Sequence, residues 1–68
     1  MLLLTDRQLD VLALMAEGRS NAGIARTLSI SEKAVVQHTS HIYDELGLAA
    51  SQDDHRRVLA VVRYLTTR

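Results

Sequence analysis

Residues 20–47 read SNAGIARTLSISEKAVVQHTSHIYDELG, and this stretch decides the fold. Ser20 and Asn21 are both side-chain types that cap a helix N-terminus. Ile24, Ala25 and Leu28 follow as a short apolar face at helical spacing. Ser29-Ile30-Ser31 breaks that period. Ser31 can cap what comes next, and Glu32 falls in the first turn, where the helix dipole favours an anion. Gly47 closes the segment. The stretch predicts a helix over 21–28, a short turn and a longer helix over 32–46. That is a helix-turn-helix unit.

On the N-terminal side, Thr5-Asp6-Arg7-Gln8 fits a capping box, with a hydroxyl to cap and a Gln three residues on. Leu4 before the cap and Leu9 after it suit a hydrophobic staple. Leu9, Leu12, Ala13 and Ala16 recur at i, i+3, i+4 and i+7, with Val11 and Met15 widening the stripe. Gly18 suits the left-handed position after a helix end. These signals predict a first helix over 6–17. On the C-terminal side, Leu48 to Gln52 is small and uncharged and reads as a loop, and Ser51 or Asp53 can cap a last helix over 53–66. The expected fold is all-α, with four helices in one domain over residues 1–68. Its expected core is Leu9, Leu12, Ala13, Ala16, Ile24, Ala25, Leu28, Ile30, Val35, Ile42, Leu46, Leu59 and Val62.

Composition narrows the function. At 68 residues the chain is one small domain, with no room for an active-site cavity between two domains. Having no Cys, it holds neither a disulfide framework nor a thiolate zinc site. Eight basic and eight acidic side chains cancel, so any attraction to nucleic acid must come from local arrangement. The longest stretch free of Asp, Glu, Lys and Arg, Ala34 to Tyr43, is far short of the ~20 residues of a membrane span. Met1-Leu2-Leu3-Leu4 lacks the features of a signal peptide, and a cytoplasmic location is expected.

The third helix carries two faces. Val35, His38, Thr39, Ile42 and Leu46 share one side, and Lys33, Val36, Gln37, Ser40, His41 and Asp44 the other. The second helix of such a unit often enters the major groove of DNA. Lys33, in the first turn, can pair with a phosphate. Gln37 can both donate to and accept from an adenine edge, and Val36 can touch a thymine methyl group. Ser40 and His41 lie one turn further on. An ordinary solvated helix face is the competing reading of the same residues.

The whole pattern is more specific. Leu4-Thr5-x-Arg7-x-x-x-Val11-Leu12, Gly18-x-Ser20-Asn21-x-x-Ile24-Ala25-x-x-Leu28-x-Ile30-Ser31 and Val35-x-x-His38-x-x-x-Ile42-x-x-x-Leu46-Gly47 together resemble the LuxR-type (GerE-like) helix-turn-helix domain. The resemblance runs continuously over residues 4–48, with a fourth helix in the expected place. The segment Asp54-His55-Arg56-Arg57-Val58-Leu59-Ala60 is similar to tails of actinobacterial members. The resemblance implies the DNA-binding part of a bacterial transcription regulator, in many members a response regulator, and excision from the C-terminus of a longer regulator is expected over a native start at Met1. It implies double-stranded DNA as partner, with RNA polymerase a candidate further partner, and no cofactor. It puts base contacts on Val36, Gln37 and Ser40, phosphate or base contact on Lys33, backbone contact on Asn21, and His38 at the core edge near phosphate. Family members often carry Glu at Gln8, Thr at Ala34, Lys or Arg at Val36, and bases at Asp44 and Glu45. The frame is kept here and its charge is thinned, which predicts fewer released counterions and weaker non-specific binding.

Other chemistries fit less well. His38, His41 and Asp44 recur at i, i+3 and i+6, but His38 leans to the core side and His41 outward, so no metal site is expected. Ser40 and His41 are adjacent, about 100° apart on a helix, and make no nucleophile–base pair. There is no Gly-rich phosphate loop, and an enzyme is not expected. Arg56 and Arg57 read as a solvated start of the last helix, and Tyr43 as packed along the domain edge.

The last helix supplies a second class of function. Val58, Val61, Val62 and Leu65, with Leu59 beside them, span an arc of about 160°, wider than the ~100° stripe of a typical surface helix. With Leu59 and Val62 covered by the first helix, Val58, Val61 and Leu65 are expected to face outward as a two-fold dimer contact, as in LuxR-type domains that dimerise through this helix. The leading reading is sequence-specific DNA binding by a dimer, with the third helix in the major groove. The alternative is a protein-interaction or dimerisation module with weak or lost DNA binding. A sigma-factor region-four-like domain is a third reading, less compatible with the Gly18-x-Ser20-Asn21 cap and the fourth helix.

Overall fold

A computed structural model describes residues 3–48 and 53–67, with the backbone alone for residues 53, 54 and 67. Four helices follow in order: α1 (Asp6–Ala16), α2 (Asn21–Leu28), α3 (Glu32–Glu45) and α4 (Asp53–Thr67). No strand occurs among the described residues. The expected all-α architecture and its helix-turn-helix are therefore present. The expected caps of α4, Ser51 and the Asp53 side chain, lie outside the described residues.

Each of the first three helices starts on a local hydrogen bond. The backbone N–H of Gln8 donates to Thr5 Oγ1 at 3.1 Å while the Thr5 N–H donates to Gln8 Oε1 at 3.1 Å, completing the capping box. Ser20 Oγ accepts from the Gly23 N–H at 3.1 Å, and Ser31 Oγ from the Ala34 N–H at 3.0 Å. Substituting such a cap by Ala typically costs about 1 kcal/mol. Of the two candidates at the start of α2, Ser20 makes the cap and Asn21 is left for another partner.

The same three helices end alike. Gly18 (φ +85°) and Gly47 (φ +69°) adopt the left-handed region, and the next residue donates back into the helix: Arg19 N–H to Leu14 O at 3.3 Å, Leu48 N–H to Tyr43 O at 2.9 Å. α2 closes the same way through Ser29, at φ 57°, with the Ile30 N–H donating to Ala25 O at 3.0 Å. Ser29 is the position where sequence reading saw only a broken period, since a left-handed serine carries no glycine-like signature. Ile30 and Leu48, one residue beyond these ends, pack against the core.

α1 packs against both α3 and α4, and α2 against α3. The core is Val11, Leu12, Met15, Ile24, Ala25, Val35, Ile42, Tyr43, Leu46 and Ala60. Six of the expected core residues, Leu12, Ile24, Ala25, Val35, Ile42 and Leu46, are buried. Leu9, Ala13, Ala16, Leu28 and Ile30 are only half-buried. In α1 the residues that widen the stripe, Val11 and Met15, are buried beside Leu12. A helix covered from two sides buries the arc between its partners.

The larger correction concerns α4. Leu59 and Val62 are not core residues: they are 47% and 50% exposed, while Ala60 is fully buried and Val61 and Tyr64 pack half-buried against the core. The small side chain of Ala60 lets α4 approach its neighbours closely, and that approach selects the Ala60-Val61-Tyr64 side of the helix. Val58 and Leu65 are exposed as expected; Val61 is not on the outward face.

Candidate nucleic-acid interface

On α3, Val35, Thr39, Ile42 and Leu46 face inward, and Lys33, Val36, Gln37, Ser40, His41 and Asp44 are exposed. The division expected from the sequence is therefore present, with His38 half-buried at the boundary. Thr39 is buried, and its hydroxyl donates to the Val36 carbonyl at 2.8 Å, so the inward face carries no unmet hydroxyl there. Val36 is 52% exposed, an apolar side chain amid polar ones. Burial of Val35 and Ile42 at 0% exposure fixes the rotation of α3, and with it the direction of the outer face.

Beside this face runs an open groove of about 240 Å³ lined by Asn21, Val36, Thr39, Ser40, Tyr43, Arg56 and Arg57. It brings Asn21, Val36 and Ser40 together; Lys33, Gln37 and His41 lie on the same helix outside it. The arginines at the start of α4 are the residues that sequence reading missed. Expected as a solvated helix start, both are half-buried. Arg57 Nη1 donates to Asn21 Oδ1 at 2.9 Å and Nη2 to the Arg19 carbonyl at 2.9 Å. Arg57 thus ties α4 to the N-terminus of α2, and charge-assisted bonds of this kind are the stronger ones. The Arg56 guanidinium lies over the Tyr43 ring, 4.6 Å from its centroid. Tyr43 is in the core rather than along the edge, and its ring face is what Arg56 rests on. No local sequence signal pairs residues 36 or 38 positions apart.

The remaining charges are peripheral. Arg19 Nε pairs with Glu17 at 3.2 Å in the open, a contact worth at most about 1 kcal/mol. Asp44 and Glu45 are exposed at the far end of α3. Among the described residues no helix is long and apolar enough to cross a membrane.

The family model of bacterial regulatory proteins of the LuxR family matches residues 2–60. The chain belongs to the LuxR family. As a LuxR-family domain it is a DNA-binding unit of transcription regulation and not an enzyme. It is 45% identical over 47 residues to a protein of Mycobacterium bovis named as an HTH-type transcriptional regulator, a match covering 69% of this chain and 5% of that protein. It is 39% identical over 51 residues to the oxygen regulatory protein NreC of Staphylococcus aureus, covering 75% of this chain and 24% of that one. The chain thus spans a small part of the length of these relatives.

Proposed function

We propose that this LuxR-family domain binds double-stranded DNA sequence-specifically, with α3 in the major groove, as the DNA-binding part of a longer cytoplasmic regulator that meets RNA polymerase at promoters. The observation that carries the reading is the outer face of α3. Lys33, Val36, Gln37, Ser40 and His41 are all exposed on one helix whose inward side is buried. A groove about 12 Å wide admits one such helix. Gln37 and Ser40 then set base preference, Lys33 and Asn21 hold the backbone, and Val36 meets a thymine methyl group. Replacing Gln37 by Ala relaxes preference at one base pair, at a cost of about 1–3 kcal/mol. Selection from a randomised duplex library reads this directly; an unchanged ranking of sites overturns the assigned face.

The same proposal has two copies joined through α4 on two half-sites about one helical turn apart. Val58, Val62 and Leu65, at i, i+4 and i+7, are all exposed and form one apolar stripe. The stripe replaces the Val58, Val61 and Leu65 set expected from the sequence, because Val61 turns toward the core. Changing Val62 to Asp puts a charge in the middle of a two-fold contact. Sedimentation across a concentration series, with and without a two-site duplex, is then expected to show loss of dimers with helical content intact. A wild type that stays monomeric at millimolar concentration and binds DNA only as a single copy overturns the dimer.

A further inference from the structure

The groove between α3 and the first turns of α4 adjoins the face proposed to read bases, and it brings two guanidinium groups together with three small polar side chains. Its lining includes Arg56, Arg57, Asn21 and Ser40. The guanidinium groups are positioned rather than loose. Arg57 is fixed by Asn21 Oδ1 and the Arg19 carbonyl, each at 2.9 Å, and the Arg56 guanidinium lies over the Tyr43 ring, 4.6 Å from its centroid. A guanidinium has five N–H donors, so two hydrogen bonds do not exhaust Arg57. Val36 and Ser40 line the groove and also belong to the outer face of α3. Whatever lies along that face therefore passes the mouth of the groove. At its C-terminal end, just beyond Tyr43, α3 carries Asp44 and Glu45, both exposed, which repel a phosphate chain.

We propose that this groove is a phosphodiester subsite, in which Arg56 neutralises one phosphate of the DNA strand flanking α3. Arg57 acts as a positioning residue: it holds the start of α2, and Asn21 with it, against α4 so that the two walls stay apart at a fixed width. The cation that the end of α3 lacks is supplied from a different helix. Planar guanidinium groups suit phosphate oxygens better than lysine does. The inference rests on the reading that α3 enters the major groove, and its ligand is the backbone of duplex DNA, common to all sequences.

The test uses the 68-residue chain with Arg56 changed to Gln and, separately, to Lys. Duplex affinity is measured between 50 and 200 mM salt. Losing one phosphate contact lowers the slope of log K against log salt by about 0.9, so the affinity ratio across that range shrinks about 3–4-fold. R56Q is expected to show this, with an unchanged ranking of sites in a randomised library, and R56K to restore the slope. A structural loss at Tyr43 would leave R56K as impaired as R56Q, because lysine keeps the charge without the guanidinium that lies over the ring. The second arm replaces single phosphates by neutral methylphosphonates. At one position wild type is weakened and R56Q is not, a non-additivity that only a direct contact produces. An unchanged slope in R56Q, or additive effects at every phosphate, overturns the subsite while leaving the α3 reading intact. Failure of wild type to bind any duplex overturns both. Saturable binding of inorganic phosphate by wild type alone, with no methylphosphonate effect, assigns the groove to a free anion and overturns the DNA contact.

Discussion

α3 and α4 are both amphipathic helices of similar length, 14 and 15 residues, and only α3 lies as its sequence suggests. α3 buries Val35, Thr39, Ile42 and Leu46 and exposes the polar side between them. α4 carries more apolar residues than it can bury, and it turns Ala60 inward while Val58, Leu59, Val62 and Leu65 stay exposed. The difference comes from how many partners constrain each helix. α3 packs against α1, α2 and α4. A charged residue has no tolerable place toward those neighbours, and the buried Thr39 donates its hydroxyl to the Val36 carbonyl, so periodicity selects the rotation. α4 packs mainly on α1, with slighter contact to α3, and several rotations offer it an apolar face. Close approach through alanine and the two arginine contacts then decide among them.

The largest effect expected from this contrast is at Ile42. Changing it to Ala in the fully buried face of α3 is expected to cost about 2–5 kcal/mol. A domain of this size has roughly 3–10 kcal/mol in all at the usual stability per residue, so the loss is a large share of the total and is read as a markedly lower urea midpoint. A loss below about 1 kcal/mol would break the picture of a tightly constrained α3.

Next comes Ala60. Enlarging it to Leu forces α4 away from α1 and is expected to cost about 1–3 kcal/mol, read as a lower urea midpoint with an unchanged slope. A neutral or stabilising result would mean that α4 can rotate to bring a larger side chain inward, and that its observed rotation is not set by Ala60.

The smallest effect sharpens the comparison most. By hydrophobicity Leu59 is a core residue, and Leu59→Ala would then cost as much as Ile42→Ala. With Leu59 47% exposed, the expected loss is within about 0.5 kcal/mol. Equal losses at residues 42 and 59 would restore the rotation read from the sequence.

The candidate site divides along the same line. The exposure of Lys33, Val36, Gln37, Ser40 and His41 was legible because they sit on one helix whose opposite side is strongly apolar. Asn21 was legible only in part: its place at the start of the helix-turn-helix is a sequence property, its bond to Arg57 is not. Arg56 and Arg57 looked like an ordinary charged helix start. Their placement beside Ser40 and Val36 requires α4 to fold back over 36 residues of chain onto α2, and no local pattern records it.

What the sequence by itself determined is where helices begin and end. Thr5, Ser20 and Ser31 cap, and Gly18 and Gly47 stop, through hydrogen bonds that span a few residues of backbone and hold their strength whatever packs above them. The inward side of α3 belongs to the same class, since its period is written in residue type. The tertiary structure alone decided which side of α4 turns inward, which of its valines stay exposed, and which arginines stand beside α3. Those outcomes depend on approach distance and on partners far away in the chain. At such contacts a small alanine that permits close packing outweighs a larger leucine that does not.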